Sequence, residues 1–303
     1  MPKHIPVLLS AVMKCLSPKK GGVFVDGTFG AGGYTRAILE ANPGASVIAF
    51  DRDKTVLPTV EKFKKEFGNR FTFIQDCFGQ VDQYVTTPVD GFVLDIGVSS
   101  MQIDTPERGF SFRLDGPLDM RMSTEGICAA DIVNNWPENK LADILYRYGE
   151  EKASRKIAKA IVNARPVTTT LQLAEIIHSV MPRPKDGSDS AMRSFQALRI
   201  AVNDELGELE RALLASPKIL KTGGRLVVVS FHSLEDRIVK EFFKENSGKL
   251  THQNKYAPQS QVVKGIFELP NKKPIEADKK ELDQNPRAHS AKLRWGIRTE
   301  KSL

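Results

Sequence analysis

Four short segments in the first third of the chain are apolar on both alternating faces: Gly22–Asp26 (GVFVD), Ser46–Phe50 (SVIAF), Phe71–Gln75 (FTFIQ) and Gly91–Asp95 (GFVLD). That pattern predicts strands covered on both sides, as in a parallel sheet. Between them the spacing predicts helices at Thr35–Ala41, stopped by Asn42-Pro43-Gly44, and Lys54–Phe67, stopped by Gly68-Asn69. Strands and helices alternating in this way predict βαβ units and a doubly wound sheet. From about Thr105 to Ala215 the period changes and no strand is expected. Apolar residues recur there at helical intervals: Leu141, Ile144, Leu145, Tyr148; Ile157, Ile161; Leu171, Ala174, Ile177; and Phe195, Leu198, Val202, Leu206, Leu209, Leu213. A loop at Pro182–Ser190 divides the last two groups. The strand pattern resumes at Arg225–Ser230 after the turn Gly223-Gly224. Val262–Phe267 and Lys292–Ile297 read as a closing pair, and 246–261 and 268–290 as loops punctuated by Pro258, Pro270, Pro274 and Pro286. The organisation expected is an α/β domain of residues 1–104 and 216–303, interrupted by a helical insertion at 105–215.

Composition narrows the class. The 303 residues are 41% hydrophobic and 27% charged, with a mean hydropathy of −0.29, which fits a soluble globular protein. No run approaches the roughly 20 apolar residues of a bilayer span, so no membrane association is expected. Ile5–Met13 sits between Lys3 and Lys14 without a small-residue cleavage site, unlike a signal peptide. Cys15, Cys77 and Cys128 stand alone, without disulfide or zinc spacing, so no metal is expected and a cytoplasmic location is. Of the net charge of +7, +6 lies in residues 240–303, where 14 basic side chains face 8 acidic ones. A polyanion-binding surface and a solvated lysine-rich extension fit that asymmetry equally well.

The first strand runs into Asp26-Gly-Thr-Phe-Gly30-Ala-Gly32-Gly33-Tyr34-Thr35. A strand, a glycine-rich turn and a helix start form the layout that holds a cofactor at a helix N-terminus. A dinucleotide fingerprint from Gly30 would need glycine where Thr35 stands, and an acid at Asp26 suits a cationic ligand better than a pyrophosphate. S-adenosylmethionine, with a sulfonium, an ammonium and no phosphate, fits. Asp51 follows Gly30 by 21 residues at the end of the second strand, the place for a carboxylate on the ribose hydroxyls. Asp76-Cys77-Phe78 and Asp95 through Gln102 follow the third and fourth strands and complete the expected site. Simpler roles compete: tight-turn glycines, acids and serines as helix caps, and Phe78 in the core.

Motifs along nearly the whole chain resemble the bacterial 16S ribosomal RNA cytosine-N4 methyltransferase family. They are His4-Ile-Pro-Val-Leu-Leu, Asp26-Gly-Thr-Phe-Gly-Ala-Gly-Gly, Phe50-Asp-Arg-Asp, Leu94-Asp-Ile-Gly-Val-Ser-Ser, Glu107-Arg-Gly-Phe-Ser-Phe, Gly116-Pro-Leu-Asp-Met-Arg-Met, Tyr148-Gly-Glu-Glu, Phe195-Gln-Ala-Leu-Arg-Ile, Val229-Ser-Phe-His-Ser-Leu-Glu-Asp-Arg and Asn285-Pro-Arg-Ala. The resemblance implies a class I S-adenosylmethionine-dependent methyltransferase fold with an inserted all-α domain for substrate recognition. It implies methylation of a cytidine N4 in the decoding region, with 16S ribosomal RNA of the small subunit as partner. It leaves oligomeric state open, a homodimer included. It carries cofactor contacts over to Gly32, Gly33, Tyr34, Asp51, Phe78, Asp95 and Gln102. Tyr34 stands where many members have histidine, which leaves its backbone as the contact.

Methyl transfer to cytosine N4 is an in-line displacement that depends on alignment. The amine is a poor nucleophile, so an acceptor for its proton is needed. The Asp/Asn/Ser-Pro-Pro-aromatic loop of many amino-methyltransferases is absent, and Asp95 holds the equivalent strand end. His232 is the second candidate, with helix capping as its competing role. Arg108–Met122 interleaves arginines and aromatics, fit either for a flipped base or for packing the insertion. Arg287, Lys292, Arg294 and Arg298 are candidate phosphate contacts. The rival readings are a methyltransferase on DNA, protein or a small molecule, a catalytically silent RNA-binding protein, and an oxidoreductase, which Thr35 and Asp26 oppose.

Overall fold

The computed structural model describes residues 6–181, 189–250, 262–263 and 265–301. His4 and Ile5, most of the loop expected at 182–190, residues 251–261 and Lys264 lie outside them. The chain divides into two compact units, Met1–Gly97 with Gly207–Leu303, and Val98–Leu206.

In the first unit the doubly apolar runs form β1 (Gly22–Asp26), β2 (Ala45–Phe50), β3 (Phe71–Ile74) and β4 (Val89–Asp95). Helix α1 (Leu9–Leu16) precedes them; α2 (Gly33–Ala41), α3 (Leu57–Phe67) and the single turn α4 (Val81–Tyr84) connect them. The second unit is helical: α5 (Ser100–Ile103), α6 (Ala129–Asn135), α7 (Glu138–Gly149), α8 (Ser154–Asn163), α9 (Thr170–Val180) and α10 (Met192–Asn203). Next come α11 (Glu205–Ile219), β5 (Leu220–Ser230) and α12 (Ser233–Asn246). The chain closes with β6 (Lys249–Leu250), β7 (Val262–Val263), β8 (Phe267–Glu268), β9 (Ile275–Glu276), α13 (Lys279–Gln284) and β10 (Lys292–Arg298).

Eight strands form one sheet in the order β3-β2-β1-β4-β5-β10-β8, with β9 also on β10; β6 and β7 pair separately. β1 to β5 are parallel and β10 enters antiparallel, Lys292 opposite Ser230 and Ile297 opposite Arg225. The central strands are buried because helices cover both faces, with Phe24, Phe50, Phe92 and Leu94 at most 1% exposed. The apolar run near the N-terminus is α1, which buries Val12, Cys15 and Leu16. Among the described residues, no helix is long and apolar enough to cross a membrane.

Three expectations change. The unit boundaries fall at 98 and 206 rather than at 105 and 215. Leu209 and Leu213 pack with Val89, Leu220 and Leu226 of the sheet, because α11 is the crossover that lets β5 run parallel to β4. The Gly223-Gly224 turn lies inside β5, where the register with β4 shifts between Val89 and Gly91. The loop expected at 268–290 contains β9 and α13, whose Glu281 accepts the N–H of Leu8 beside α1.

The second unit has its own core around Leu118, Met120, Ile132, Leu141, Ile157, Leu173 and Leu198. Arg108–Met122 belongs to it. Phe110, Leu118, Met120 and Met122 are buried, Arg108 donates to the carbonyls of Arg121 and Met122, and Asn203 bonds the Met122 N–H at 2.8 Å and the Met120 carbonyl at 2.7 Å. These bonds all lie within the second unit.

Candidate cofactor site

Every strand of the parallel set ends at the same edge, and the glycine turn crosses it. Asp26, fully buried, accepts the Thr28 N–H at 3.1 Å and the Thr35 hydroxyl at 2.7 Å, tying the end of β1 to the first turn of α2. Thr28 in turn accepts the Asp95 N–H at 2.7 Å, which joins the turn to the end of β4. Gly32 caps α2 at φ +79°, and a Cβ there would lie 2.5 Å from the Phe63 ring. A Cβ on Gly33 would meet Pro6 at 2.1 Å. Both glycines are therefore required by the protein's own packing. What they leave for a ligand is backbone: the first N–H groups of α2, which have no acceptor within the helix. Tyr34 is buried and its hydroxyl donates to the Val7 carbonyl, so its ring braces the N-terminal segment and only its backbone belongs to the helix start.

Three acids shape the electrostatics. Asp51 Oδ2 accepts the Gly30 N–H at 2.8 Å and Oδ1 the Asp53 N–H at 2.9 Å, which fixes the carboxylate while each oxygen keeps a lone pair. Burial pushes its pKa up to about 6, against the pull of those two bonds. Burial also raises Asp26, so the acid that argued against a pyrophosphate is itself disinclined to ionise. Asp95 is the strongest feature. Among the described residues its Oδ1 is buried without a hydrogen-bond partner, and burial, then the charges of Asp26 and Glu235, push its pKa up to about 8. A buried carboxylate oxygen beside two more acids lacks positive charge. A ligand with a sulfonium and an ammonium supplies it, so the residues present fit S-adenosylmethionine.

Phe78 opens the one-turn helix after β3 and is partly buried against the sheet core. Asp76 beside it accepts the Tyr84 hydroxyl at 2.6 Å. Gln102 lies in the second unit, on α5, where it and Ser99 bond each other's backbone N–H groups at 3.0 and 3.2 Å. His232 is the N-cap of α12: its Nδ1 accepts the Glu235 N–H at 3.4 Å, and its Nε2 lies 3.0 Å from Glu235 Oε1 without hydrogen-bond geometry. His232 thus fills the capping role that competed with the catalytic one. Glu235, 2% exposed, closes this capping box by accepting the Phe231 and His232 N–H groups. Its spacing three residues after the cap was the available signal for it.

The expected C-terminal phosphate contacts change most. Arg294 forms a bidentate pair with Asp236 at 2.7 and 3.1 Å, both side chains 13% exposed. Arg298 donates to the carbonyls of Pro217, Thr299 and Lys301. Both are structural, because β10 is an interior strand that must satisfy its charges within the fold.

A parallel sheet with an antiparallel strand beside β5, a glycine turn into α2 and acids at the ends of β2 and β4 define a class I S-adenosylmethionine-dependent methyltransferase. A family model described as the MraW methylase family matches residues 1–299, and the chain belongs to that family. The chain is similar to proteins named ribosomal RNA small subunit methyltransferase H in three organisms. It is 54% identical to that of Methylobacterium nodulans over 99% of this chain and 91% of the relative. It is 53% identical to that of Cereibacter sphaeroides (98% and 90%) and 53% to that of Paramagnetospirillum magneticum (98% and 96%).

Proposed function

We propose that this chain methylates the exocyclic N4 of a cytidine in the decoding region of 16S ribosomal RNA, on the small subunit and in the cytoplasm. The relatives' names support the ribosomal substrate, and the motif resemblance supports the base and atom. The observation that carries the site is the buried oxygen of Asp95 at the sheet edge, which has no hydrogen-bond partner among the described residues. Asp51 would hold the ribose hydroxyls, Phe78 the adenine, the α2 N-terminus at Gly32, Gly33 and Tyr34 the polar end, and Asp95 the positive charge, with Gln102 a further contact that rests on the motif resemblance alone. The cofactor supplies an electrophilic methyl group on a sulfonium.

Asp95 is also the proposed proton acceptor. A pKa about 8 in the free protein lies close to the working pH, where a general base is most effective. A neighbouring positive charge would hold Asp95 ionised, leaving its carboxylate to take the proton that the amine sheds. His232, through its cap, positions Glu235, whose charge raises Asp95 further.

The insertion offers a surface for RNA phosphates. Residues 152–163 contain Lys152, Arg155, Lys156 and Lys159 and no acid. All four are exposed, and the opposite face of α8 buries Ile157, Ala158 and Ile161. Mass spectrometry of nucleosides from purified small subunits tests the whole reading. N4-methylcytidine is expected only from cells that carry this enzyme, and its equal presence in cells lacking it would refute the proposal.

A further inference from the structure

A carboxylate inside a helix–sheet interface costs free energy unless it is bonded, and an apolar residue would pack there at no such cost. Glu208 of α11 is 7% exposed. Its Oε2 accepts the N–H of Gly79 at 3.0 Å, across 129 positions of sequence, and its Oε1 accepts Arg211 Nη2 at 2.8 Å. A Cβ on Gly79 would stand 2.1 Å from that Oε2 and 3.1 Å from the carbonyl oxygen of Glu208, so the loop backbone lies directly on the helix. Gly79 is the middle residue of the turn opened by Phe78. The Phe78 Cβ in turn lies 3.1 Å from where a Cβ on Gly27 would stand, at the first residue of the glycine turn. Fixing Gly79 therefore fixes Phe78 against the cofactor loop.

We infer that Glu208 is a positioning residue of the cofactor site: through the Gly79 N–H it holds the loop so that the Phe78 ring covers the adenine. This rests on the reading of Phe78 as a cofactor contact. The helix that returns from the insertion thereby carries part of the cofactor affinity.

The test is calorimetry with S-adenosylhomocysteine, together with steady-state kinetics on small subunits, for Glu208→Ala, Glu208→Gln, Phe78→Ala and the double variant Phe78→Ala/Glu208→Ala. Glu208→Ala is expected to weaken binding about 5- to 20-fold, with the change falling on the cofactor KM rather than on kcat. Glu208→Gln keeps an acceptor for Gly79 and is expected to bind within about threefold of the wild type. The double variant is expected to bind as Phe78→Ala alone does, because the two act through one ring. Should Glu208→Ala not fold, Glu208→Asp, one methylene short of Gly79, is expected to show the same defect. Wild-type affinity in Glu208→Ala alongside weakened Phe78→Ala overturns the inference while leaving the adenine reading intact. Defects in Gln equal to those in Ala, shared between kcat and KM with a lowered Tm, overturn it in favour of a purely structural role. Wild-type affinity in Phe78→Ala removes the adenine reading and the inference with it.

Discussion

The Asp51 carboxylate accepts the Gly30 N–H at 2.8 Å, so the end of β2 and the crest of the glycine turn form one feature. The same carboxylate takes the Asp53 N–H at 2.9 Å, which leaves its remaining lone pairs aimed by two backbone anchors. Preorganisation of this kind makes a ribose-binding acid effective, because the ordering is complete before the ligand arrives. Asp51→Ala is expected to weaken S-adenosylhomocysteine binding at least tenfold, about 1.4 kcal/mol or more. Unchanged affinity in calorimetry would remove the ribose assignment.

Burial of Asp95 carries a cost in stability. Its carboxyl pKa, ordinarily 3.8, is pushed up to about 8, so between those values the folded chain holds a proton that the unfolded chain has released. Its contribution to stability therefore falls as pH rises across that window. Asp95→Asn removes the penalty and is expected to raise the Tm of the free protein at pH 8, at about 2–4 °C per kcal/mol recovered. The gain should shrink toward pH 4, while cofactor affinity and turnover fall. An Asn variant that melts no higher than the wild type at pH 8 would contradict this account of the site.

Cofactor affinity should depend on pH for the same reason. A cation beside Asp95 displaces its proton, so affinity is expected to rise between pH 6 and 8, by at most about one tenfold step per pH unit for one proton released. Asp51, pushed up to about 6, adds a further fall below that pH as it takes up a proton. Calorimetry in buffers of different ionisation enthalpy reads the released proton directly. A flat profile, or an unchanged one in Asp95→Asn, counts against Asp95 as the cation's partner.

The two sets of basic residues should separate cleanly. Neutralising Lys156 and Lys159 together is expected to lower RNA affinity and to reduce the salt slope by about 0.7–0.9 for each phosphate the variant no longer neutralises. Arg294→Ala is expected to leave that slope intact and to destabilise the fold by up to about 3 kcal/mol, since among the described residues Asp236 then keeps only Lys292, at 3.8 Å. Filter binding over a salt series and thermal melts of both variants check the pair. An Arg294 variant with a flattened slope and an unaltered Tm would restore the C-terminal strand as an RNA contact.

Local pattern made much of this fold legible. A parallel strand covered on both faces must be apolar on both parities, so β1, β2 and β3 were readable within one residue and β4 within two, as was the glycine turn that follows β1. Asp51 and Asp95 were readable too, because an acid directly after such a strand has nowhere to go but the sheet edge. Helical period alone does not say which core a helix joins. Leu209 and Leu213 continue the rhythm of the insertion, yet pack on the sheet, since only a crossover helix there permits the parallel β4–β5 pair.

The order of residues was enough for the first four strands, the glycine turn and the acids beside it, because each follows from neighbours a few positions apart. Only the folded chain decided which charges are consumed internally and which face outward. Arg294 finds Asp236 across 58 positions and Glu208 finds Gly79 across 129. Such partners meet through strand order and helix docking, and a buried charge is stable only where that meeting takes place.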